Sequence, residues 1–136
     1  MPCVYTALTP EGAIAELDKH AAEFAGRSRR RDLVSLRVDV TDILDLTRAT
    51  TRARLGVPAG ALTGDGDDDL VFCRALARRE VLRGAYGAIL APSAALPYGV
   101  NLMIYIHRTD HIRELTNGTD RVAITAGYRW TGILAR

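Results

Sequence analysis

The chain predicts an α+β domain, a mixed sheet with flanking helices, and three observations carry that expectation. A capped amphipathic helix follows the first short strand, a clean period-two strand follows that helix, and the remaining apolar runs are short and bounded by turn residues. Residues 3–8 (CVYTAL) read as a short buried strand. Thr9-Pro10-Glu11 then forms a helix start, with Thr as N-cap, Pro at the first helical position and an acid in the first turn. Ile14, Leu17, Ala21 and Phe24 follow at three-and-four spacing as the expected buried stripe, and Gly26 is the expected stop.

Residues 32–40 alternate Leu33, Val34, Leu36, Val38 and Val40 against Asp32, Ser35, Arg37 and Asp39, a half-buried strand. Residues 42–47 (DILDLT) read as a short extended piece or turn, 48–55 as a short basic helix, and 56–66 as a glycine-rich loop. Asp67-Asp68-Asp69 opens another helix reaching about Arg83, acids at its positive end and arginines near its negative end, with Gly84 as its stop. Residues 88–91 read as a buried strand stopped by Pro92, and 100–106 as a central strand buried on both faces. Residues 112–116 and 121–128 flank Asn117-Gly118-Thr119-Asp120, a hairpin-like turn. The expected order is β-α-β-(α)-α-β-β-β-β.

Composition narrows the function classes. The chain has 136 residues, 48% apolar and 25% charged, which suits one soluble domain spanning 1–136. No apolar run reaches the roughly 18 residues a transmembrane helix needs, and no basic-then-apolar N-terminal stretch marks a secretory signal. The expected location is the cytoplasm, where Cys3 and Cys73 stay reduced. A net charge of +2 does not by itself call for a nucleic-acid or membrane partner. Arg27, Arg29, Arg30 and Arg31 make a basic loop, read as a solvated surface or as a contact for phosphate or an acidic partner. No aromatic platform interleaves it, so direct nucleic-acid binding ranks low.

Four residues stand at the ends of rigid elements, where chemistry is usually presented. Glu16, in the second helical turn, falls about 110° from the centre of the apolar stripe at about 100° per residue, on its flank. A carboxylate there lines a cleft or simply reaches water. Tyr5, between Val4 and Thr6 in the first strand, by itself reads as a core tyrosine; the tight Thr9-Pro10 turn brings it toward the same end of the sheet as Glu16. Ser93 after Pro92 is equally a turn-forming serine, and no Gly-x-Ser-x-Gly elbow surrounds it. Asn101 after Gly99 is a turn or strand-edge amide. His107 and His111 lie four apart but need not share a face, and no metal is expected. Asp65 to Asp69 does not fit a calcium loop, because Leu70 and Leu76 stand where Gly and Glu are needed. Trp130 reads as a packing anchor.

The ordered set Tyr5, Glu16, Ser93 and Asn101 resembles the RES family, known from the toxins of bacterial toxin–antitoxin pairs. The likeness extends to Leu36-Arg37-Val38, Asp45-Leu46-Thr47, the helix at 67–83, Ile89 to Ser93 and Gly99-x-Asn101. It implies a fold similar to the ADP-ribosyltransferases and action on NAD+ as substrate, with no further cofactor. The bond broken would be nicotinamide–ribose, by hydrolysis, phosphorolysis or ADP-ribosyl transfer. The resemblance implies catalytic roles for Glu16, Tyr5 and Ser93, with Tyr5, Glu16, Ser93 and Asn101 contacting NAD+. It also implies a cognate helix-turn-helix (Xre-like) antitoxin as partner; composition calls for no membrane partner, and a homo-oligomer is compatible with the sequence.

The family's arginine precedes its tyrosine by about ten residues and would bind the pyrophosphate bidentately. In this chain that position falls before Met1. The expectation is a domain shortened at its N-terminus; the alternatives are substitution by Arg129 or by an arginine of the 27–31 loop, or a weakened relative. A non-catalytic antitoxin-binding module is the competing function.

Overall fold

The computed structural model describes residues 3–23, 31–58, 60–108, 112–124 and 130–135. The fold is α+β. Strands β1 (Val4–Ala7), β2 (Arg31–Val40), β3 (Ile43–Asp45), β4 (Ala88–Pro92), β5 (Val100–Ile104), β6 (Ile112–Ile124) and β7 (Trp130–Ala135) join in one mixed sheet ordered β3-β4-β5-β1-β7-β2-β6. Helix α1 (Pro10–Glu23) connects β1 to β2, while α2 (Ala49–Leu55) and α3 (Asp67–Leu82) lie between β3 and β4. No helix among the described residues is long and apolar enough to cross a membrane.

The local signals act as expected at several element ends. The Thr9 hydroxyl accepts from the Gly12 amide at 3.1 Å and caps α1. Asp67, Asp68 and Asp69 fill the first turn of α3, and Gly84 takes φ +77° just past its C-cap, Arg83. Pro92 closes β4 after a run with no interior proline.

Register decides which face each side chain serves. Across the sheet centre Tyr5 stands opposite Met103, Met103 opposite Ile89 and Ile89 opposite Leu44. Ala7, Asn101 and Ala91 form the next row on that same face, because side chains two apart along a strand point the same way. Leu102, Ile104 and Ala88 point to the opposite face and pack with Leu36, Val38 and Val40. On the first face Leu44, Ile89 and Tyr105 pack with Leu76 and Val81 of α3. The Thr6 hydroxyl, fully buried, donates to the Leu102 carbonyl at 2.7 Å and joins β1 to β5 a second way.

Three expectations require correction. Asn117 to Asp120 is not a hairpin turn: residues 112–124 form one strand, in which Val34 pairs with Arg121 and Leu36 with Asn117. Gly118, Thr119 and Asp120 therefore stand opposite Ser35 alone, so the turn-type residues are absorbed as a bulge. The strand expected over 100–106 stops at Ile104. There the Tyr105 amide donates to Gly87 O, the Arg108 amide donates to Tyr105 O, and Ile106 is exposed. Finally, β7 was not anticipated; it enters the sheet between β1 and β2, parallel to both. Gly26, Arg27, Arg29, Arg30, His111 and Arg129 lie outside the described residues, as does the side chain of Trp130.

Tyr105 is 4% exposed, and burial pushes its phenol from the ordinary 10 up to about 12. The folded state thus holds the phenolic proton more tightly than the unfolded chain does. This contribution to stability is complete below the unfolded value and is lost as pH rises through the folded one. Urea unfolding between about pH 9 and about pH 12 is expected to show falling stability, and Tyr105→Phe is expected to flatten the fall. A variant as steep as the parent overturns the assignment.

Candidate active site

The site begins with a small-residue contact. Gly12 and Ala13 are buried where α1 meets β1; a Cβ on Gly12 would lie 3.3 Å from the Ala7 Cβ and 3.1 Å from the Thr9 hydroxyl. This close approach turns the Gly12, Ala13 and Glu16 side of α1 inward. Glu16, three and four residues on from them, travels with that face and is only 6% exposed. Of the expected stripe, Ile14 and Leu17 are half-buried, with Leu17 packed against Ala7 and Ala13, while Phe24 and the Ala21 side chain lie outside the described residues. Small residues set the helix closer than large ones would, and an apolarity count does not register that.

A buried carboxylate needs donors, and two converge on it. The Ser93 hydroxyl and Asn101 Nδ2 each donate to Glu16 Oε1 at 2.7 Å. Asn101 Nδ2 uses its second hydrogen toward the Tyr5 hydroxyl, also at 2.7 Å. One chain of contacts thus runs Ser93–Glu16–Asn101–Tyr5, bringing all four sequence-selected residues together. Both donors occupy Oε1, which leaves Oε2 for the cleft that Glu16 lines.

Ser93 is positioned by its own loop. Its amide donates to Gly99 O at 2.8 Å, and the Gly99 amide donates to Leu96 O at 3.0 Å. Its hydroxyl accepts from the amides of Ala95 and Leu96, each at 3.1 Å. With one proton given to Glu16 and two amides received, the hydroxyl has no capacity left for a ligand. The loop closes only around a glycine: a Cβ on Gly99 would sit 3.0 Å from Leu96 O and 3.1 Å from the Ser93 Cβ.

Tyr5 is 47% exposed and faces a cleft of about 510 Å³, rather than lying in the core. Burial of its phenol end, then the Glu16 charge, raise its pKa well above 10 against the opposing hydrogen bond from Asn101. It keeps its proton at any physiological pH. Because the hydroxyl accepts from Asn101, that proton is available to the cleft.

The cleft is floored by the sheet face carrying Ile89, Ala91, Asn101 and Met103. Tyr5, Glu16 and Asn101 line it, whereas Ser93 does not. Sequence reasoning passed over Lys19 and His20 of α1 and Arg74 of α3, which also line it. The signal was present: Lys19 and His20 follow Glu16 by three and four residues, the spacing that shares a helix face. Among the described residues no group of three or more His, Cys, Asp or Glu could hold a metal ion.

The buried hydrogen bonds predict energetic coupling. Asn101→Leu leaves the carboxylate short of a donor and is expected to cost about 2–3 kcal/mol by urea unfolding. Combined with Glu16→Leu, the cost is expected to fall below the sum of the single changes by about 1 kcal/mol or more. Strict additivity would show that the two side chains do not depend on each other.

No curated protein and no solved structure matches the chain. The family model described as RES domain matches residues 1–125 and so takes in every residue of the cleft. The chain belongs to the RES domain family.

Proposed function

We propose that this protein is an NAD+-consuming toxin of a toxin–antitoxin pair, which breaks the nicotinamide–ribose bond and is restrained by a helix-turn-helix antitoxin. The observation that carries the reading is the buried Glu16 carboxylate, held through one oxygen by Ser93 and Asn101 with the other left to a cleft of about 510 Å³. A cleft of that size suits a nucleotide-sized ligand.

In the reaction the C1′–N1 bond breaks and its electron pair leaves with the pyridine nitrogen, giving neutral nicotinamide. Positive charge develops on the ribose, and a fixed carboxylate beside it stabilises that state more than the ground state. Glu16 Oε2 fills this role and accepts from a ribose hydroxyl. Since Oε1 is already hydrogen-bonded, the carboxylate needs no reorientation as the charge appears. The acceptor at C1′ is water, phosphate or a protein side chain; with water, the products are ADP-ribose, nicotinamide and a proton.

Tyr5 offers its ring face to the nicotinamide and its proton to an acceptor such as the carboxamide oxygen. Ser93 is a positioning residue, because its hydroxyl is committed to Glu16 and the loop amides. Asn101 connects Glu16 to Tyr5, so ribose and ring contacts are fixed relative to each other.

Nicotinamide release from NAD+ by the purified protein, with and without phosphate, tests the reading. Release is expected in the parent and is expected to fall by about a hundredfold or more in Glu16→Gln, which removes the charge and keeps the shape. Dependence on phosphate selects the acceptor, and growth arrest on expression is expected to disappear with the same variant. Equal release by parent and variant rejects Glu16 as the catalytic group. No release above a heat-inactivated control, with antitoxin binding retained, identifies a binding module instead.

A further inference from the structure

One turn beyond Glu16 the cleft changes sign. Lys19 and His20 extend the α1 wall, and Arg74 of α3 lines the same cleft. A rise of about 1.5 Å per residue puts Lys19 roughly 5 Å along α1 from the carboxylate. That offset is comparable with the length of a ribose and its 5′ methylene. A dinucleotide whose ribose is gripped by Glu16 would carry its diphosphate to this basic stretch.

The position is not empty of negative charge. Lys19 Nζ pairs with Asp65 Oδ1, and Asp65 belongs to the glycine-rich segment between α2 and α3. Asp65 and its neighbour Gly64 line the cleft as well. The Lys19 side chain is 26% exposed and that of Asp65 73% exposed. An ion pair with one partner so open to water is weak and readily exchanged. A diphosphate brings more charge and more acceptor oxygens to the same ammonium than one carboxylate does.

We propose that Lys19, with Arg74, forms the subsite for the diphosphate of a dinucleotide, and that Asp65 occupies it in the ligand-free protein as a built-in competitor. The proposal rests on the reading of the cleft as an NAD+ site. Ligand binding then exchanges one Lys19 partner for another and frees the Asp65 segment from α1. Two substitutions on one ion pair acquire opposite signs: loss of Lys19 weakens binding, and loss of the Asp65 charge strengthens it. A merely structural ion pair would make both changes harmful or both silent.

Calorimetric titration separates the cases, with inorganic diphosphate, ADP-ribose and nicotinamide riboside as probes. For diphosphate and ADP-ribose, Lys19→Met is expected to lower affinity about tenfold or more, and Lys19→Arg to retain most of it. Asp65→Asn is expected to raise affinity about threefold. Nicotinamide riboside, which has no phosphate, is expected to respond to none of these changes. ADP-ribose affinity indifferent to Lys19 and Asp65 overturns the proposal. So does an equal loss for nicotinamide riboside, or failure of the parent to bind diphosphate and ADP-ribose. Lys19-dependent binding without NAD+ cleavage would leave the anion subsite standing and remove the catalytic reading. NAD+ cleavage with a KM unchanged in both variants would do the reverse.

Discussion

Burying one carboxylate constrains this structure more than any other single interaction. Glu16 sits where α1, β4 and β5 converge, and a charge at that depth is tolerated only if donors come to it. Ser93 comes from the loop after β4 and Asn101 from β5, so the carboxylate ties the first helix to two strands distant in sequence. The neighbouring features serve this arrangement. Gly12 and Ala13 allow the helix close enough, the closed loop from Ser93 to Gly99 aims the hydroxyl, and β-sheet register places Asn101 on the cleft face. Removing a donor leaves the charge buried and short of partners, which is worse than never having buried it.

The sequence was most legible where a local rule has a local cause. Thr9-Pro10-Glu11 starts a helix through groups within a few residues of each other, and the Asp67–Asp69 start and Gly84 stop of α3 follow the same logic. The four site residues were legible as an ordered set, but their mutual contacts were not, since Ser93 to Glu16 and Asn101 to Tyr5 span 77 and 96 residues. What failed depends on long-range partners. Asn-Gly is a hairpin signal only if the chain reverses there; opposite an uninterrupted β2 the same residues become a bulge. On α1 the stripe passed over Gly12 and Ala13 because it weighs side-chain size, whereas the contact with Ala7 selects for the absence of size.

The same distinction explains the cleft. Tyr5 reads as core from its neighbours Val4 and Thr6, yet its row mates Met103 and Ile89 lie on the sheet face that α1 and α3 leave partly open. A strand residue takes its environment from the rows beside it, which only the register reveals. Lys19, by contrast, was within reach of the sequence. A helix that contributes one polar side chain to a site presents its third and fourth successors to the same side.

The hydrogen-bond chain also has a direction. Oε1 of Glu16 can only accept while ionised, so Asn101 must present its amide nitrogen and not its oxygen. The same nitrogen then donates to Tyr5, and the Tyr5 proton is turned away from Asn101. Asn101 Oδ1 is left buried with no hydrogen-bond partner among the described residues, a cost that follows from serving Glu16 and Tyr5 together. The outcome is a cleft with a fixed polarity: a proton donor at Tyr5, an acceptor at Glu16 Oε2, and the Lys19 ammonium one helical turn beyond. Under the NAD+ reading, that order matches carboxamide, ribose and diphosphate taken along the ligand. A diphosphate set against Glu16 would meet the carboxylate's own charge, so the network that stabilises Glu16 also keeps the anionic part of a ligand at the Lys19 end.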